Sequence, residues 1–118
     1  MQRQLAIASA GAAAFLLSFS AGAHPFTAQE CAEGSDFIKN AALSRENGVN
    51  GMEFMTRAIA DLAAIKSFPP QLRWFVQDQP DEDFLLAALA EVFSAPQDPR
   101  LHQSNFFGAC SLRMSLSE

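Results

Sequence analysis

Cations are scarce in this chain, and those present are dispersed. Eight lysines and arginines stand against thirteen aspartates and glutamates, a formal net charge of −5 over 118 residues. Gripping a nucleic-acid backbone takes clustered Lys and Arg, as does holding to anionic lipid headgroups. Lys39, Arg45, Arg57, Lys66, Arg73, Arg100 and Arg113 instead occur singly. Neither nucleic acid nor a membrane surface is an expected partner.

Cysteine and histidine are equally sparse, at two residues each. A structural zinc site takes four ligands at short local spacings, which two remote thiols and two histidines do not supply. Catalytic signatures are missing as well: there is no P-loop, G-x-G-x-x-G, H-E-x-x-H, C-x-x-C or G-x-S-x-G. No cofactor and no enzymatic activity are expected. A Ser-His-Asp arrangement would have to use His24, near an expected chain terminus, or His102, in the first turn of a predicted helix where a solvated side chain is the ordinary outcome.

Long apolar runs are absent except at the start. Residues 5–19 form an uncharged Ala/Leu/Phe stretch after Arg3, and Ala21-Gly22-Ala23 has the small-x-small form of a signal-peptidase site. At about 15 residues, the run falls short of the ~20 needed to cross a bilayer. This reads as a cleaved secretory signal over 1–23, followed by one helical domain over 24–118 in a periplasmic or secreted setting. Loss of Arg3 leaves seven basic residues against thirteen acidic ones, a formal −6.

In an oxidising compartment, an exported chain whose only two cysteines are Cys31 and Cys110 most simply forms one disulfide. The pair brackets nearly all of the sequence able to fold.

Between the cysteines the pattern is helical. Thr27 and Glu30 make a capping box ahead of a stripe of Cys31, Gly34, Ile38, Ala41, Ala42 and Arg45, with Phe37 beside it. Gly34-Ser35 weakens the first turns, so the regular helix is expected nearer Asp36, and Asn47-Gly48 supplies a left-handed stop. Asn50 and Glu53 repeat the capping device before a second stripe of Met55, Ala58, Ile59, Leu62 and Ile65. Arg57 is spaced to pair with Glu53 or Asp61.

Pro69-Pro70 ends that helix and opens a short one in which Leu72, Phe75 and Val76 share a face. Pro80 opens the next helix, with Asp81, Glu82 and Asp83 placed against the positive end of its dipole rather than as acid/base groups. Residues 84–93 carry one charge, Glu91, which points to a central helix. Asp98-Pro99 caps a last helix, in which Phe106 and Phe107 are expected to press onto the first helix beside Cys110. The fold expected is all-α: four main helices and a short extra helical turn, with the first and last helices joined by the disulfide.

Cys31, Ala41, Arg45, Gly48-Val49, Val92-Phe93, Pro99, Phe106 and Cys110, taken in this order, resemble the pattern of a loose group of short, uncharacterised exported proteobacterial proteins. In that group an R-(D/E)-x-G-(V/M) stretch follows the first cysteine and a V-(Y/F)…F…C stretch closes the domain. The resemblance implies a Gram-negative periplasm and an all-helical disulfide-linked fold, and it carries over no activity or site residue. A coarser similarity, in size, helicity and a single disulfide, is to periplasmic acid-stress chaperones.

Two sets of residues stand out as candidate sites. Phe68, Trp74 and Phe75 surround the proline break beside acidic residues 78–83, and aromatics rimmed by charge suit an interface anchor for another periplasmic protein. The same residues suit a cover over the end of the bundle. The second set is a copper reading: signal cleavage leaves His24 with a free amine and imidazole for Cu(II), His102 as a third nitrogen donor, and Met52 and Met55 as thioethers for Cu(I). The expected role is a non-catalytic protein-binding, inhibitory or chaperone-like module, with a copper-binding protein or an enzyme with an unrecognised site as the alternatives.

Overall fold

A computed structural model describes residues 26–74 and 76–116. The proposed signal over 1–23, together with His24 and Phe75, lies outside the described residues. Four helices follow one another as α1 (Ala28–Glu46), α2 (Gly51–Ile65), α3 (Gln79–Ser94) and α4 (Pro99–Leu116), with one 3-10 turn (Pro70–Leu72) between α2 and α3. No strand occurs among the described residues.

The α1 helix starts at its capping box. The Glu30 amide donates to Thr27 Oγ1 at 3.1 Å, and the Thr27 amide donates to Glu30 Oε1 at 2.9 Å. The helix runs without interruption through Gly34-Ser35, contrary to the later start expected from helix propensity. Gly34 and Ser35 are buried in the tertiary structure, and the Ser35 hydroxyl donates to the Ala32 carbonyl. Packing outweighs the roughly 1 kcal/mol that a glycine costs mid-helix.

At the far end, Gly48 has φ 92°, the Gly48 amide donates to Arg45 O, and the Val49 amide donates to Ser44 O. These two bonds complete a Schellman motif and turn the chain into α2. Asn50 caps α2 by accepting from the Glu53 amide at 3.1 Å. Gly51 then passes so close to α3 that an added Cβ would lie 3.1 Å from the Phe93 side chain.

The α1 and α4 helices form the most extensive helix pair, and α3 lies against both α1 and α2. Cys31 and Cys110 form the expected disulfide between α1 and α4, with Cα atoms 5.6 Å apart and both residues buried. The core is Ile38, Ala41 and Ala42 from α1, Ala58 and Leu62 from α2, Val76, then Leu85, Leu89 and Val92 from α3, and Phe106 from α4. Of the stripe predicted for α2, Ile59 is half exposed, because this helix rests chiefly on α3. Within α3, Ala88 is partly buried, while Ala87 and Ala90 are exposed.

Two local expectations change. The segment after Pro69-Pro70 is a single 3-10 turn followed by extended backbone at Arg73 (φ −79°, ψ 153°), which breaks the predicted face. Leu72 is consequently 68 % exposed, while Val76 is fully buried. The buried stripe of α4 is Pro99, His102, Phe106 and Cys110, and Phe107 points outward. Phe106 is buried in the core with Ile38 and Ala41 of α1, and its ring also lies 5.2 Å from Phe84 of α3.

Candidate functional site

The connector between α2 and α3 has little regular structure, and side chains hold it instead. Arg73 Nε donates to the Phe68 carbonyl at 2.8 Å, and Gln77 Nε2 donates to the carbonyls of Pro70 and Trp74 at 3.1 and 3.0 Å. This fixes the backbone around Trp74. Its indole packs edge-on against Phe37 of α1, with ring centroids 5.4 Å apart and an interplanar angle of 77°.

Trp74 and Phe37 form two walls of an apolar groove of about 310 Å³, completed by Ala58, Leu62 and Ile65 of α2 and Leu85 of α3. Among the described residues, Asp61 is the only charged one that lines it. Phe68, three residues beyond Ile65, is 48 % exposed. Of the three aromatics singled out from sequence, Trp74 therefore packs into the body of the protein while closing a groove, and Phe68 is displayed on the connector. The groove's other components come from three helices, so no local pattern announces them.

A second cavity, of about 210 Å³, runs between α3 and α4 along Phe84, Ala87, Ala88, Phe106 and Ala109, with Glu91, His102 and Asn105 as its polar residues. His102 is 5 % exposed, which corrects the expectation of a solvated side chain. The Gln97 amide donates to His102 Nε2 at 3.0 Å, and Arg45 Nη1 approaches the same nitrogen at 3.3 Å. Both contacts fit a neutral imidazole with Nε2 unprotonated and the proton on Nδ1. Burial holds the imidazole below its ordinary pKa, and the Arg45 guanidinium acts in the same direction, opposed by Glu91.

Arg45 holds the end of α3 and the loop after it, donating from Nη1 to Val92 O and from Nη2 to Gln97 O, each at 2.7 Å. Its side chain is 16 % exposed, and its contact with Glu46 is long, at 3.7 Å. This joint ties the C-terminus of α1 to the ends of α3 and the start of α4. The signals were a cation on the buried stripe of α1 and a histidine spaced four residues before Phe106 and eight before Cys110.

The acidic run also departs from a dipole account. Asp81 is fully buried, accepting from the Gln77 amide at 3.0 Å and from Arg113 Nη2 at 3.2 Å. The Arg113 guanidinium lies 4.4 Å from the centroid of Phe26 and 4.9 Å from that of Phe84, so it is held against two rings as well as a carboxylate. Glu82 pairs with Lys66 at 3.1 Å, and Asp83 accepts from Gln79. Asp81 and Glu82 thus pin α3 to α4 and to the end of α2.

As for copper ligation, His102 Nε2 is already an acceptor within the fold, Met52 is 80 % exposed and Met55 is partly buried. No group of three or more His, Cys, Asp or Glu side chains that could hold a metal ion occurs among the described residues. No described helix is long and apolar enough to cross a membrane.

Comparison with protein-family models, curated proteins and solved structures finds no match to this chain.

Proposed function

We propose that this chain is an exported, periplasmic binding module without catalytic activity that takes an apolar segment of another protein into the groove between Phe37, Leu62, Trp74 and Leu85. Export is read from residues 1–23, and the Cys31–Cys110 disulfide is what an oxidising compartment favours. One observation carries the binding reading. The groove sets a half-buried tryptophan and Phe37 among apolar side chains, and aromatic anchors around a concave apolar surface are the usual composition of a recognition site. The volume of about 310 Å³ suits one or two large side chains rather than a whole helix.

Trp74 is the only tryptophan in the chain and therefore reports on the groove directly. A synthetic amphipathic helix of leucine and glutamine, titrated into the oxidised protein, is expected to shift Trp74 emission to the blue. It is also expected to move the backbone amide resonances of Phe37, Ala58, Leu62 and Trp74. Unchanged emission and unchanged amide positions up to millimolar peptide would overturn the proposal. Resonance changes confined to the α3–α4 cavity would transfer the site to Phe84, His102 and Phe106.

A further inference from the structure

Around the groove, the charged side chains are unequally occupied. On α2 and the connector, Arg57 Nη2 lies 4.0 Å from Glu53 Oε1, Lys66 is 3.1 Å from Glu82, and Arg73 is spent on the carbonyls of Phe68 and Gln77. Asp61 has neither an ion pair nor a hydrogen bond among the described residues, although it stands four residues after Arg57 in the same helix. It is exposed, and it is the single charge on a lining that is otherwise Phe37, Ala58, Leu62, Ile65, Trp74 and Leu85. The chain as a whole carries −5, so it attracts cations and repels acidic partners over a distance set by ionic strength.

We infer that the occupant of the groove is a basic amphipathic segment of a partner protein, in which an apolar side chain that fills the trough is accompanied by a lysine or arginine that pairs with Asp61. This inference rests on the binding role proposed for the groove and gives that role its partner chemistry. The apolar contact supplies affinity, while the unpaired carboxylate discriminates. A segment with glutamate in the basic position would bring like charges together, and a neutral segment would leave Asp61 solvated. The discrimination is modest because the pair is exposed, and an exposed pair alters binding by about twofold to fivefold.

The test compares three helices of identical leucine positions whose polar residues are lysine, glutamine or glutamate, using Trp74 emission on the full oxidised protein. Expected is an order of lysine over glutamine over glutamate, with the first gap at about twofold to fivefold in low salt and narrowing as salt is added. Asp61→Asn should bring the lysine and glutamine peptides level, and Asp61→Lys should place glutamate first. Because Asp61 is exposed and has no ion pair or hydrogen bond among the described residues, both variants should retain the far-UV circular dichroism of the parent.

If the lysine preference persists undiminished in Asp61→Asn, it comes from overall charge and the inference is overturned. Equal binding of all three peptides by the parent protein overturns it too, while leaving an uncharged apolar groove in place. Failure of every peptide to bind would instead remove the groove as a binding site.

Discussion

His102 shows how much one buried side chain contributes to the joint between helices. Its neutral imidazole accepts from the Gln97 amide and meets Arg45, so protonation would remove an acceptor and bring a second cation towards a guanidinium. The folded pKa is lowered from about 6.5, chiefly by burial and then by Arg45. A histidine depressed in this way contributes stability that is present in full above the unfolded value and is lost as pH falls towards the folded one. The melting temperature of the parent should therefore exceed that of His102→Gln by a margin that shrinks between pH 7.5 and pH 5. A margin that stays constant across that range would show that His102 does not titrate with unfolding.

Arg113 gives a second prediction for a single side chain. Arg113→Met keeps an unbranched side chain near Phe26 and Phe84 but takes the guanidinium from the fully buried Asp81. Removing one partner of a buried pair costs about 3–5 kcal/mol, and the partial exposure of Arg113 reduces this to about 2–3 kcal/mol. Adding Asp81→Asn should recover part of the loss, because no charge is then left buried. Denaturant unfolding of the two single variants and the double variant measures the coupling, and strict additivity would contradict it.

Among the elements, the α1 to α2 corner was legible and the α2 to α3 connector was not. Thr27, Glu30, Asn47, Gly48 and Asn50 act on backbone groups a few residues away, so their spacing alone predicts the caps and the stop. Gly48→Ala should cost about 1 kcal/mol, since φ 92° is comfortable only for glycine, and an unchanged unfolding midpoint would count against the strained corner. In the connector, Trp74 is placed by Gln77 and Arg73 hydrogen bonds and by Phe37, which lies in a different helix. Helical periodicity grouped Leu72 with Val76 because it assumed a regular period through a segment that turns once and then extends.

For the whole molecule, the disulfide is the constraint of longest range. Cys31 and Cys110 are 79 residues apart, and the entropy of closing such a loop in the unfolded chain corresponds to about 4.5 kcal/mol as an upper figure. That is comparable with the entire net stability of a small domain. Strong reductant should lower the melting temperature substantially, and an unchanged melting temperature would show that α1 and α4 hold together by packing alone. The groove depends on that closure less directly, because its walls come from α1, α2, α3 and the connector.

The sequence by itself determined the helical class, the caps, the breaks and the pairing of the two cysteines, because each follows from local backbone chemistry or from there being only two thiols to join. It also set the acidic balance of charge, thirteen acidic residues against eight basic ones. Only the tertiary structure decided what the polar residues on those helices do. Arg45 meets His102 across 57 residues, Arg113 meets Asp81 across 32, and Trp74 meets Phe37 from a segment without helical period. These contacts depend on how whole helices are rotated against one another, which hydrophobic periodicity fixes only to within a face. The same rotation placed Asp61 in the lining of an apolar groove.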